Sequence, residues 1–173
     1  MPSTNKLAAG SDFPEFSFST TDGGASNVAS MPGWRMLVVY RGKHCPLCKR
    51  YFKTLNDMLG ELRQAGVTVV AVSADSKEKA EADVASEGWQ FRVGYGLTQE
   101  QMRLLGLYIS EPRSPQETDR PFAEPGLFVV NPEGKVQIVD ISNAPFSRPD
   151  LAGILMGIKL VKEKNYPIRG MLV

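Results

Sequence analysis

The 173-residue sequence predicts an α/β domain with a mixed central sheet and helices on its faces. Three observations predict it. Residues 36–40 (Met-Leu-Val-Val-Tyr) and 67–73 (Val-Thr-Val-Val-Ala-Val-Ser) are the nearly continuous apolar runs of strands covered on both sides. Between them, Leu47, Tyr51, Leu55, Met58, Leu59 and Leu62 recur every three or four positions, as on one face of a helix. Residues 126–131 and 135–140 are β-rich runs joined through Pro132, Glu133 and Gly134, a hairpin.

The remaining elements follow in chain order. Phe13, Phe16 and Phe18 alternate with polar residues ahead of Thr21, Asp22, Gly23 and Gly24, which predicts a short edge strand or hairpin. The helix opening at Pro46 stops near Ala65 and Gly66. Asp75 with Glu78 forms a capping-box pattern for a charged surface helix to about residue 87, and Thr98 with Gln101 repeats it for a helix to about residue 105. A short strand over 91–94 separates them. Pro112, Pro115, Pro121 and Pro125 make 110–124 a loop. Ser147, Pro149 and Asp150 open the last helix, whose Leu151, Ile154, Leu155, Ile158 and Val161 share a face. The expected organisation is a loose lead over 1–10, one domain over 11–164 and a tail over 165–173.

Composition narrows the function. Twenty Lys and Arg against nineteen Asp and Glu leave a net charge of +1 with no basic stripe, which argues against a nucleic-acid partner. The longest apolar candidate, 151–161, is broken by Lys159 and falls short of the roughly 18 to 20 residues that span a bilayer, so no membrane partner is expected. Residues 1–13 lack the apolar stretch of a secretory signal, and the expected location is the cytoplasm. Gly94 and Gly96 are followed by Leu97 without the glycine spacing of a dinucleotide site, so no cofactor is expected.

The chemistry concentrates in Cys45-Pro46-Leu47-Cys48, the chain's two cysteines. A bond between them would cross-link almost no chain and would stabilise little. They lie where a buried strand gives way to a helix, and the unpaired N–H groups of a helix N-terminus favour a thiolate over a thiol. Lys43 and a protonated His44 would add to that effect, which makes Cys45 the attacking sulfur. Spacing i, i+3 puts Cys48 on the same side of the first turn, within reach of a disulfide. Lowering a thiol from about 8.5 to about 6.5 raises its thiolate fraction at pH 7 roughly 25-fold, while intrinsic nucleophilicity falls about eightfold. Most of the selectivity must therefore come from the surroundings of the sulfur. Two other uses of the spacing are half a zinc site, which would need two more ligands in a chain whose one His is His44, and a pair of small buried hydrophobes.

The apolar strand, the Cys-Pro-Leu-Cys helix start and the hairpin of 125–134 (Pro-Gly-Leu-Phe-Val-Val-Asn-Pro-Glu-Gly) resemble the thioredoxin fold. Within it the chain looks like the redoxin branch of alkyl hydroperoxide reductases and thiol-specific antioxidant proteins, the peroxiredoxins, over residues 10–164. Two departures matter. The family's Pro-x-x-x-Thr/Ser-x-x-Cys places Pro and Thr/Ser where this chain has Val38 and Gly42, and the arginine that precedes the family's Gly-Leu-Phe strand is replaced by Pro125. Pro125 instead resembles the cis-proline that faces the dithiol of thioredoxin-like oxidoreductases, where a backbone edge pairs with substrate.

The resemblance implies a thiol–disulfide redox enzyme, with Cys45 attacking a disulfide and Cys48 resolving it. The alternatives are a peroxidase acting on small peroxides, with Arg41, Arg120 or Arg148 supplying positive charge at the sulfur, and a non-catalytic redox switch. Arg148 lies in an unusually specific loop, 142–149. The partners implied are a protein disulfide or a small peroxide, with an external reductant, a thioredoxin-like dithiol or glutathione. Assembly tilts toward a homodimer. Of the remaining residues, Trp34 and Trp89 read as core or rim aromatics, and Glu124 as a solvated carboxylate.

Overall fold

The computed structural model describes residues 6–173; the first half of the expected lead, 1–5, lies outside the described residues. In chain order the elements are β1 (Phe18–Thr20), β2 (Ala25–Ser26), a 3₁₀ turn (Val28–Ser30), β3 (Trp34–Val39), α1 (Pro46–Asp57), α2 (Leu59–Gln64), β4 (Val67–Val72) and α3 (Lys77–Glu87). They continue with β5 (Arg92–Tyr95), α4 (Gln99–Leu104), β6 (Ile109–Ser110), β7 (Phe122–Ala123), β8 (Gly126–Val130), β9 (Val136–Ile141) and α5 (Leu151–Lys164).

The main sheet runs β2-β1-β5-β4-β3-β8-β9 and is mixed, as expected. β3 pairs parallel with β4 and antiparallel with β8, so Met36 lies between Val69 and Val129. Successive strand residues point to opposite faces. Met36, Val38, Val69 and Ala71 turn toward Phe52, Leu55, Leu62, Leu155 and Ile158 of the helices, with Tyr40, Trp89 and Phe91 in the same core. Leu37, Val39, Val70, Val72 and Phe128 turn the other way, toward Phe13, Phe18, Met102 and Leu105. Phe52 meets Tyr40 and Trp89 edge-on, with ring centroids 4.7 and 5.0 Å away.

Three expectations change in detail. The helix opening at Pro46 is interrupted at Met58, where the Asn56 side chain accepts from the Gln90 N–H at 2.7 Å and ties the break to the segment leading into β5. Gly66, with φ +79, ends α2. Ser76, not Asp75, caps α3 by accepting from the Lys79 N–H, because the Asp75 carboxylate is turned to the loop before α1 and accepts the Lys43 N–H at 2.7 Å. Asp150, not Ser147, caps α5, accepting from the Gly153 N–H at 2.9 Å. Around Thr98 the expected reciprocal capping box is present in full. In the second half of the lead, Gly10 N–H donates to the Val136 carbonyl at 2.8 Å, and Asp12 pairs with Lys135.

Two features of this topology build the site. The end of β3 delivers the chain to the amino end of α1, and the Val39–Gly126 pairing sets the start of β8 beside it. Residues 41–48 therefore face residues 124–126.

Candidate active site

After Val39 the Tyr40 N–H donates to the Val72 carbonyl, which prolongs the β3–β4 pairing by one residue. The chain then turns through Gly42, whose φ is +134, and the Cys45 N–H closes the turn on the Gly42 carbonyl at 3.1 Å. Cys45 is the N-cap of α1 and Pro46 its first helical residue, as the Cys-Pro sequence predicts. In place of the usual capping oxygen, the Cys45 sulfur accepts the Cys48 N–H at 3.3 Å. Both cysteines are reduced, and each is only 1% exposed. An incoming disulfide or peroxide reaches Cys45 only when the groups covering it give way.

The two sulfurs are electrostatically unlike. The Cys48 thiol donates to Cys45, and this donation, more than any other cause, lowers Cys45 to about 6; the Cys48 N–H, the Arg41 guanidinium and the charge of Arg148 add to it, against an opposing push from burial. Cys48 is driven strongly upward, first by burial and then because its proton serves Cys45. At neutral pH the pair holds one negative charge and one proton, and the charge resides on Cys45.

Each sulfur has its own arginine. Arg41, leaving β3, stands beside Cys45, with Nε 2.9 Å from Glu124 Oε1 and the guanidinium 4.9 Å from the centre of the Phe122 ring. Glu124 is buried and takes the Ser110 hydroxyl at 2.7 Å, so it is not the solvated carboxylate that sequence alone suggests; β6 and β7 fold it inward. Arg148 approaches from the opposite side, where Nη2 donates to Cys48 Sγ at 2.7 Å and the guanidinium lies 5.0 Å from the Tyr51 ring centre. Arg120, the third arginine considered, is held by Asp119 and donates to the Ala74 carbonyl, with no contact to either sulfur.

His44 does not supply the positive charge expected of it. Its ring packs edge-on against Phe122 at 4.6 Å, and both nitrogens are buried without a hydrogen-bond partner among the described residues. Burial, followed by the nearby Arg41, lowers it, so it is uncharged at pH 7. His44 and Lys43 border an open groove of about 820 Å³ whose other wall is the 113–119 segment. This groove adjoins the dithiol through His44, and its lining is largely polar and of mixed charge.

Pro125 departs from expectation. Among the described residues every peptide bond is trans, including the one before Pro125. Its backbone is also already paired: the Glu124 N–H donates to the Tyr108 carbonyl at 2.8 Å, and the Pro125 carbonyl accepts the Ser142 N–H at 3.1 Å. The short β6–β7 ribbon and the end of β9 thus occupy the edge that a cis-proline would offer to a substrate. Pro125 lines, with Val38, Tyr51 and Arg148, a cleft of about 10 Å³, room for no more than a water. Val38 is an interior β3 residue opposite Leu127 and Ala71. Trp89 is buried core, as expected, and Trp34 is half-buried against it. Sequence reasoning named Arg41 and Arg148 without assigning either to a sulfur, and it missed Asp75 at the site altogether. The one available signal for Asp75 was its place at the end of a buried parallel strand adjacent to β3, where side chains converge.

A reduced dithiol at the amino end of the helix that follows a central strand, in a mixed sheet with helices on both faces, defines a thioredoxin-like dithiol protein. The chain belongs to the AhpC/TSA family, whose model matches residues 9–139. It is 38% identical over 76 residues to peroxiredoxin Bcp of Escherichia coli, a match covering 43% of this chain and about half, 49%, of that relative's length. It is 27% identical over 139 residues to a putative peroxiredoxin of Mycobacterium tuberculosis, covering 80% of the chain and 87% of the relative. To the thiol-disulfide oxidoreductase ResA of Bacillus subtilis it is 27% identical over 131 residues, 75% of the chain and 65% of the relative. Among solved structures, the peroxiredoxin-like protein from Aquifex aeolicus superposes with a TM-score of 0.76 at 20% identity, over 90% of this chain and 88% of that one. A mutant of the peroxiredoxin 6 of Arenicola marina gives the same score and identity over 92% and 75%. These superpositions bear on the fold alone. Among the described residues no helix is long and apolar enough to cross a membrane.

Proposed function

We propose that the protein is a thiol–disulfide oxidoreductase in which Cys45 attacks and Cys48 resolves. The observation that carries this reading is the Cys48 N–H donating to the Cys45 sulfur at the amino end of α1, beside which Cys45 is lowered to about 6 and Cys48 raised, so that Cys45 supplies the thiolate and Cys48 keeps its proton. The Cys45 thiolate attacks one sulfur of a substrate disulfide, forming a mixed disulfide and expelling the other sulfur as a thiolate. Cys48 then loses its proton to the departing thiolate or to water and attacks Cys45 Sγ. The substrate leaves as its second thiol, and a Cys45–Cys48 disulfide remains. Two electrons have passed from the dithiol to the substrate, and an external reductant, a thioredoxin-like dithiol or two molecules of glutathione, returns them.

In the resolving step the Arg148 guanidinium at Cys48 Sγ offsets the cost of creating a buried thiolate. Arg41 has the corresponding duty at Cys45 in the first step. No prosthetic group is needed for this cycle, and a reducing compartment such as the cytoplasm would keep the resting pair reduced.

One observation favours a second reading. Arg41 beside a thiolate of low pKa is also suited to bind the outer oxygen of a hydroperoxide. In that case Cys45 becomes a sulfenic acid, ROOH leaves as ROH, and Cys48 condenses with the sulfenic acid to release water. A Cys48→Ser protein decides between the two. A mixed disulfide accumulating on Cys45 with a disulfide substrate, together with a peroxide rate no better than that of free thiolate, supports exchange. Rapid sulfenic acid formation at micromolar peroxide, with no trapped disulfide, overturns it in favour of the peroxidase. Reaction with neither would leave a redox switch.

A further inference from the structure

Position 42 is where the peroxidase motif of the resembled family carries a hydroxyl, and here it is a glycine that has no room to be anything else. A Cβ built on Gly42 would lie 2.6 Å from Asp75 Oδ1 and 2.9 Å from its carboxyl carbon, and its φ of +134 disfavours any side chain. The residue whose carboxylate fills this space is tied down at three points, one on the carboxylate and two on its backbone. Asp75 Oδ2 accepts the Lys43 N–H at 2.7 Å, the Asp75 N–H donates to Ser73 Oγ at 3.1 Å, and the Asp75 carbonyl accepts the Gly96 N–H at 2.8 Å. Asp75 is 3% exposed, and its near charges are Lys79, Asp83 and Arg120. It therefore joins the ends of β4 and β5 to the turn that carries the nucleophile.

We infer that Asp75 is the positioning residue of the Cys45 turn: its carboxylate, seated on Gly42 and holding the Lys43 N–H, fixes the 42–45 turn in the form that makes Cys45 the cap of α1. The inference rests on the reading of Cys45 as nucleophile. It follows from geometry that few other groups could do this. Lys43 N–H precedes Cys45 by two residues and the turn closes on Gly42, so the acceptor at Lys43 and the closure at Gly42 together determine where the Cys45 sulfur sits relative to the Cys48 N–H. A hydroxyl at position 42 could enter only by expelling the carboxylate.

The test uses the full chain with Asp75→Ala, Asp75→Asn and Gly42→Ala, reading thiolate absorbance near 240 nm against pH and the rate of iodoacetamide labelling assigned to Cys45. With Asp75→Ala the Cys45 titration should move up by about one unit as the Cys48 N–H loses its aim. Disulfide exchange should slow about tenfold, the usual cost of a misplaced reacting group. Asp75→Asn, whose amide oxygen can accept the Lys43 N–H, should restore most of both, and Gly42→Ala should reproduce the alanine phenotype. A role confined to stability would lower the melting temperature and leave the Cys45 titration alone. A folded Asp75→Ala protein with the wild-type titration overturns the inference, as does Asp75→Asn behaving like alanine. Should Asp75→Ala fail to fold, wild-type titration in Gly42→Ala overturns it equally. A wild-type protein whose Cys45 titrates like free cysteine would overturn the nucleophile reading itself, and the inference with it.

Discussion

The two sides of the dithiol use the same kind of side chain to opposite ends. On the Cys45 side, Arg41 belongs to a network with Glu124, Ser110 and the Phe122 ring, and its charge is largely spent on a buried carboxylate. On the Cys48 side, Arg148 makes no ion pair among the described residues, although Asp140 lines the same narrow cleft; it stacks on Tyr51 and gives a direct 2.7 Å hydrogen bond to sulfur, with its Nε buried and unpartnered. Yet Cys45, beside the ion-paired arginine, is the lowered thiol, and Cys48, which receives the direct arginine hydrogen bond, is the raised one. Burial and the hydrogen bonding between the two thiols outweigh the direct Arg148 contact in raising Cys48, while both arginines add to the lowering of Cys45.

The comparison can be broken most severely at Cys45. Cys45→Ser should lose turnover with any disulfide by about a thousandfold or more, whereas Cys48→Ser should keep the first attack and lose only release; quenched-flow with mass analysis of the trapped species separates the two. Exchanging each arginine for methionine sharpens it. Arg148→Met should slow resolution about tenfold, so that the mixed disulfide builds up, while Arg41→Met should slow the first attack and shift the Cys45 titration upward. Equal effects of the two variants on the same step would refute the division of labour.

A smaller effect is expected in stability against pH. The folded Cys45 is depressed to about 6, below the ordinary unfolded thiol, so the unfolded chain binds more protons between about pH 6 and 8.5 and stability of the reduced protein rises across that window. Above it, the raised Cys48 keeps a proton that the unfolded chain gives up, and the trend reverses. Urea midpoints of reduced wild type and Cys45→Ser, measured from pH 5.5 to 9.5, should differ in the rising limb. Least of all, Glu124→Gln, which keeps one acceptor oxygen but removes the charge facing Arg41, should lower the Cys45 titration by a few tenths of a unit. A rise would mean that Glu124 acts on the sulfur by holding Arg41 in place.

Much of this was legible in the residues, for local reasons. Strand and helix periodicity placed β3, β4, the β8–β9 hairpin and the helix after the dithiol, because an apolar side chain must face the core wherever the chain passes it. Cys45 and Cys48 could be placed at the start of α1 from their spacing and from Pro46, since three residues of helix leave little freedom in how two side chains meet. The errors lay where a side chain had a choice of partners. Asp75 looked like a helix cap because Glu78 stands three residues on, but a free N–H at Lys43, 32 residues away in sequence, claimed its carboxylate. Pro125 looked like a substrate-facing cis-proline until Tyr108 and Ser142 took up the backbone around it.

The sequence by itself therefore determined the elements and the placement of the dithiol at the head of its helix, because these depend on covalent spacing, backbone geometry and burial period. Only the tertiary structure decided which arginine serves which sulfur, why residue 42 is bare, and that His44 is uncharged. Those outcomes depend on distances between groups far apart in the chain, and on the burial that the completed fold imposes on each of them.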